Sequence, residues 1–199
     1  NIDFYGGGVS AIIDVDETVW NHYTVVFDNS TNPYFLIDAT TFYINGVEKT
    51  TIGNAAITNR IISTGKVTIG RGNNNTTNTT NLDGELKLLR VWNNIRSELE
   101  IQNSIYNNTI NTLITSDGSA QPDFNGTIYT HNYNFDGIND YIEIPDNLIP
   151  NFTSSSNLTI EFWAYIDSNQ TDHNVLLGFG NSIGNGSGDL HISFYKNPV

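Results

Sequence analysis

Apolar and polar residues alternate with a period of two along most of this chain. That pattern excludes a mainly helical protein, whose apolar residues would recur at spacings of three and four. Thr24-Val25-Val26-Phe27, Thr41-Phe42-Tyr43-Ile44, Lys66-Val67-Thr68-Ile69 and the run from Leu158 to Tyr165 read as strands. Glu85 to Trp92, Thr127 to Phe135, Tyr141 to Ile144, Asn174 to Phe179 and Leu190 to Tyr195 read the same way. Asn45-Gly46, Gly70 to Asn75, Asp83-Gly84, Asp136-Gly137 and Gly184 to Asp189 supply turn chemistry between them. Many short strands so spaced predict an all-β sandwich or jelly roll.

One helix interrupts the pattern. Ser97-Glu98-Leu99-Glu100 has the form of a capping box, in which Ser97 and Glu100 exchange hydrogen bonds with each other's amides. Leu99, Ile101 and Ile105 then give a weak apolar stripe, so the helix is expected over 97–108, lying across a sheet end. Residues 72–81 (GNNNTTNTTN) are polar and of low complexity. Residues 115–126, containing SDGSAQPDFNG, read as a linker between segments 1–114 and 127–199.

Composition removes several functions. With 8 Lys and Arg against 21 Asp and Glu, the net charge is −13, which leaves no cation cluster for nucleic acid. No apolar run approaches the roughly 20 residues of a membrane-crossing helix, so no membrane insertion is expected. The absence of Cys excludes disulfides, thiolate metal sites and a Cys nucleophile. A start at Asn1 with no Met anywhere is expected of a processed chain or a piece of a longer one. Few Lys, no Cys and abundant Asn, Thr and Ser lean towards an extracellular or cell-surface address.

Particular motifs resemble a known family. The run from Trp20 to Asp28, Phe42-Tyr43-Ile44-Asn45-Gly46 and Val67-Thr68-Ile69-Gly70 look like the later half of a laminin-G-like jelly roll. Leu82-Asp83-Gly84-Glu85, Leu89-Arg90-Val91-Trp92-Asn93, Arg96-Ser97 and Glu100-Ile101 resemble that family's closing strand and helix. The run from Phe135 to Pro145, then Leu158 to Ala164, resembles its opening half. The resemblance implies an all-β, concanavalin A-like (laminin-G-like) jelly-roll sandwich with one short helix.

In that resemblance the two halves stand in permuted order. The opening half lies at 127–199 and the later half at 1–114, so the break falls inside a hairpin running from His191–Tyr195 to Asn1–Tyr5. A circular permutant, one period of a tandem array, or a chain completed by strands from its neighbour would each produce this order. Ends cut inside a sheet must be covered, because unpaired strand edges aggregate. Head-to-tail pairing with copies of itself would give a filament. The residues expected at that junction are Asn1, Ile2, Phe4, His191, Ile192, Phe194 and Val199. The leading expectation is therefore an extracellular structural or adhesive (cell-adhesion) repeat or filament subunit, and not an enzyme. A lectin-like, carbohydrate-binding module is the alternative.

Candidate chemistry is sparse. Asp14 and Asp16, two apart on a would-be strand, resemble a degenerate paired-acid motif of jelly-roll glycosidases, a third and remote reading. A solvated strand end before the Trp20 motif is the leading reading of the pair. Calcium is the candidate cofactor, with Asp136, Asn139 and Asp140 as its best oxygen cluster; an Asx-turn network accounts for the same residues without metal. Lys87 stands where the resemblance implies an Asp, which weakens a calcium site built from that strand. The four His are scattered, and Trp20, Trp92 and Trp163 lie in motif strands, where packing is the default role. Sequons at Asn29, Asn75, Asn78, Asn107, Asn125, Asn151, Asn169 and Asn185 (with Asn74 and the strand-bordering Asn157) give the expectation of a glycoprotein where the source glycosylates; an Asn- and Thr-rich composition accounts for them as well.

Overall fold

A computed structural model describes residues 2–6, 9–28, 30, 39–52, 67–71, 81–92, 94–106, 133–138, 140–144, 157–167, 173–179 and 190–196. The strands, in chain order, are β1 (Ile2–Gly6), β2 (Val9–Ile12), β3 (Asn21–Phe27), β4 (Thr40–Ile44), β5 (Val47–Lys49), β6 (Thr51–Ile52), β7 (Val67–Ile69) and β8 (Asp83–Trp92). Then come helix α1 (Glu98–Tyr106) and strands β9 (Tyr133–Asp136), β10 (Ile142–Ile144), β11 (Leu158–Ile166), β12 (His173–Phe179) and β13 (Leu190–Lys196).

Every strand pair is antiparallel. They form a seven-stranded sheet in the order β10-β7-β12-β13-β1-β2-β6 and a six-stranded sheet in the order β5-β4-β3-β11-β8-β9. Alternation places one set of side chains between the sheets. Tyr23, Val25, Phe27, Phe42, Ile160, Phe162 and Ala164 come from the six-stranded sheet, and Leu177, Ile192 and Phe194 from the other; all are buried. Tyr23 stacks on Phe162 at 5.7 Å and meets Phe194 edge-on at 5.0 Å, joining both sheets and both segments of the chain.

The first and last of the described strands meet. β1 and β13 pair in register, Ile2 against Lys196, Phe4 against Phe194 and Gly6 against Ile192. The end strands are thus neighbours in the middle of the seven-stranded sheet. The open edge expected at the break is not found there: each end strand covers the other within one chain. Ile192 and Phe194 are buried core residues. Strand His191 pairs its backbone with Gly178, while Asn1 and Val199 lie outside the described residues. β11 inserts between β3 and β8, so neither segment makes its own sheet.

Two local expectations need correcting. Asp83-Gly84 is not a turn but the start of β8, opposite Asp136 and Phe135. Asp14 and Asp16 do not share a strand face, because β2 ends at Ile12. The proposed linker 115–126 lies outside the described residues, as do helix positions 107 and 108.

Candidate functional site

The outer surface of the six-stranded sheet carries the densest chemistry among the described residues. Inward positions Ile160, Phe162 and Ala164 alternate along β11 with outward Thr159, Glu161, Trp163 and Tyr165. Register then builds cross-strand rows: Thr24–Glu161–Arg90, next His22–Trp163–Lys87, next Tyr165 beside Glu85. Lys87 and Arg90 are three apart and would face opposite sides of a regular strand. They share this face because the pairing of β8 with β11 shifts between Glu161 and Trp163, with Leu88 at φ 52°.

Helix α1 covers the upper rows. Its capping box is formed: the Ser97 amide donates to Glu100 Oε2 at 2.8 Å, and the Glu100 amide donates to Ser97 Oγ at 3.4 Å. Ile101 packs on Val26 and Tyr43. Beneath the helix, the fully buried Glu161 carboxylate accepts from Ser104 Oγ at 2.7 Å, Trp92 Nε1 at 3.1 Å and Arg90 Nη1 at 3.3 Å. Such a charge is tolerable in the interior only because it is paired and hydrogen-bonded. His22 Nε2 lies 3.7 Å from Glu161, but this is not an ion pair. Burial lowers the imidazole's pKa to about 4, outweighing the opposing pull of Glu161, and Arg90 lowers it further.

In the lower rows Trp163, Lys87, Tyr165 and Glu85 are half-buried, while His22 is fully buried. Lys87 Nζ sits 3.8 Å from the Trp20 ring centre and 5.7 Å from that of Trp163. Tyr165 lies 6.5 Å from Trp20, and His22 meets Trp163 edge-on at 5.5 Å. The sequence motifs place Trp20 in a strand, but β3 begins only at Asn21 and Trp20 precedes it; nothing in a one-dimensional pattern brings Trp20 over Lys87.

The residues singled out in the sequence fall elsewhere. Exposed Asp14 pairs with Lys49 Nζ at 2.6 Å, and that hydrogen bond lowers its pKa. Exposed Asp16 is lowered by accepting from the Thr18 hydroxyl at 2.6 Å and the Thr18 amide at 2.9 Å. Neither is raised, as a general acid would need.

The Asp136–Asp140 turn is an Asx network: the Ile138 amide donates to Asp136 Oδ1 at 2.8 Å and the Asp136 amide to Asp140 Oδ2 at 3.2 Å. The Asn81 side-chain amide donates to the Ile138 carbonyl. Asp83 stands nearby, its carboxyl pushed up by partial burial and by the charges of Asp167 and Asp136. Among the described residues, no three His, Asp or Glu side chains converge as metal ligands, and Asn139 lies outside them. Sequons Asn29, Asn75, Asn78, Asn107, Asn125, Asn151, Asn169 and Asn185 also lie outside the described residues.

A laminin-G-type family model described as the concanavalin A-like lectin/glucanases superfamily matches residues 3–102. No curated protein and no solved structure matches the chain.

Proposed function

We propose a function from one premise: the chain belongs to the concanavalin A-like lectin/glucanases superfamily, within its laminin-G-like branch. On this reading it is a non-catalytic structural or adhesive module, working outside the cell or at its surface. Copies join head-to-tail by completing one another's sheets.

The observation that carries the proposal is the pairing of β1 with β13. Both strands are internal to the seven-stranded sheet, and segment 127–199 also supplies the central β11 of the other. Each segment lacks a core without its complement. The backbone hydrogen bonds and the Tyr23–Phe162–Phe194 cluster are the same whether the complement comes from the same chain or from the next copy. In a polymer of such copies, exchange loses no contacts, and protein concentration decides between closure and chaining.

Cysteine pairs across the junction test this directly, since the chain has none of its own. Tyr5 and Ser193 are register partners. When Tyr5→Cys and Ser193→Cys chains are refolded together at high concentration and oxidised, a disulfide-linked mixed dimer is expected. If only the double variant forms a bond, and only within one chain, the head-to-tail proposal fails.

Calcium enters this proposal as a counterion for the acidic corner at Asp83, Asp136 and Asp167, where partial burial and then the charges of Asp167 and Asp136 raise Asp83. Millimolar calcium is expected to raise the melting temperature of the native chain more than that of Asp83→Asn. Equal shifts for the two chains would remove calcium from the reading.

A further inference from the structure

We infer that Asn45-Gly46 is a self-modification site: Asn45 hydrolyses to aspartate or isoaspartate only when the turn between β4 and β5 opens, and its conversion frees the corner of the sandwich that α1 holds. The turn is a two-residue hairpin, with Ile44 paired to Val47 and both Asn45 (φ 53°) and Gly46 (φ 75°) left-handed. Asn-Gly satisfies that geometry. It is also the dipeptide in which the next backbone nitrogen has the least hindered approach to the side-chain amide. Packing leaves no other choice at the second position. A Cβ on Gly46 would stand 2.9 Å from Ile105 Cδ1 and 3.0 Å from Gln102 Cγ, both on α1, and Gln102 Nε2 donates to the Gly46 carbonyl at 3.2 Å. The residue that makes Asn45 reactive is therefore demanded by the docking of α1.

The closed turn keeps the reaction from starting. In that reaction the Gly46 amide nitrogen attacks Asn45 Cγ and loses its proton, and Nδ2 leaves as ammonia. Water then opens the five-membered imide, at Cγ to give aspartate or at the main-chain carbonyl carbon to give isoaspartate; no oxidant or reductant is needed. Closing the ring requires Cβ and the Gly46 nitrogen to eclipse about the Asn45 Cα–C bond, far from the ψ of about +47° that a left-handed residue keeps. The side chain is also tied at both ends. Oδ1 accepts from the His22 amide at 2.9 Å, and Nδ2 donates to Asn21 Oδ1 at 2.8 Å. Asn21 is buried and cannot turn its amide over, because its Nδ2 feeds the carbonyls of Asp16 at 2.8 Å and Val19 at 3.0 Å. The products do not fit this frame. Aspartate sets a carboxylate oxygen against Asn21 Oδ1, two acceptors with no proton between them. Isoaspartate adds a backbone atom to the two-residue turn. Either change withdraws Gly46 from Gln102 and Ile105, so α1 loosens. β3, β4 and α1 lie in one segment of the chain, so the modification does not depend on head-to-tail joining.

The test ages the full chain at mildly alkaline pH, native and in concentrated urea. Peptide mapping follows conversion of Asn45 as the mass gain from amide to acid, with isoaspartate resolved by chromatography. Asn125-Gly126 and Asn185-Gly186 carry the same dipeptide and serve as references in urea. In urea Asn45 is expected to convert at a rate comparable with theirs. In the native chain it should convert at about one-tenth of that rate or less, since only the open fraction of turns reacts. Gln102→Ala, which keeps a good helix former in α1, should raise the native rate and leave the rate in urea unchanged. Asn45→Asp should speed hydrogen exchange in α1 while β13, in the other sheet, stays protected as before. Should that variant fail to fold, the converted molecules of the aged chain, separated by their added charge, give the same exchange comparison. The proposal is overturned by equal rates in the native chain and in urea, by no conversion of Asn45 in urea while the references convert, by an unmoved native rate in Gln102→Ala, or by unaltered exchange of α1 after conversion.

Discussion

Glu161 is the residue on which the outer surface turns. It joins β11 to β8 through Arg90 and Trp92, and joins both to α1 through Ser104. His22 completes that pocket as a neutral base. The folded imidazole binds its proton only near pH 4, against an ordinary value of 6.5. Between those values the unfolded chain therefore holds more protons than the folded one. Stability supplied by His22 is fully present above pH 6.5 and is lost as the pH falls towards 4, by about 3 kcal/mol for a group so buried. The groups that face it are Glu161, which pulls the other way, and Arg90, which adds to the lowering. Urea midpoints measured from pH 8 to pH 4 should show this fall. In His22→Phe, which keeps an edge contact to Trp163, the limb between pH 6.5 and 4 should flatten; an unchanged limb would mean that surface carboxylates alone cause it.

At the scale of elements, legibility followed the distance over which each decision is made. The capping box of α1 was readable because Ser97 and Glu100 decide it between themselves. Strands β3, β4, β8 and β11 were readable because seven, five, ten and nine residues carry enough alternation. β5 and β6, three and two residues long, bury no residue fully and so carry no apolar alternation to detect. The pair Asp83-Gly84 has turn composition, yet Gly84 is a strand residue at φ 149°, where an added Cβ would stand 2.2 Å from the Tyr165 carbonyl oxygen. Glycine serves close approach of β8 to β11 there. The irregularity that turns Lys87 and Arg90 to one side leaves no mark in the sequence either. The burial of Glu161 leaves no mark in the sequence, because alternation names the outward side but not what covers it. The cover, Ser104 and α1, comes from 57 residues earlier in the chain. The same ignorance hid the Trp20–Lys87 contact.

For the molecule as a whole, the rotated order makes a claim about connectivity that the contacts themselves do not depend on. β13 and β1 pair as a hairpin does, with Asn197, Pro198, Val199 and Asn1 as the residues that would join Lys196 to Ile2. As the chain is connected, that pair closes only after nearly its whole length has been gathered, and such distant closure is costly and slow. Joining Val199 to Asn1 and opening the chain within 115–126 would turn the most distant strand pair into a local one. The rearranged chain should keep both sheets, seen as an unchanged near-ultraviolet circular dichroism spectrum, and should refold faster. Because its end strands are then covalently tied, it should also stay monomeric at concentrations where, on the proposed function, the unrearranged chain self-associates, which sedimentation velocity would show. Slower refolding would mean that β1 and β13 meet after the rate-limiting step. Equal self-association of both chains would mean that copies join through some other surface, and the role assigned to the β1–β13 junction would be lost while the fold stood.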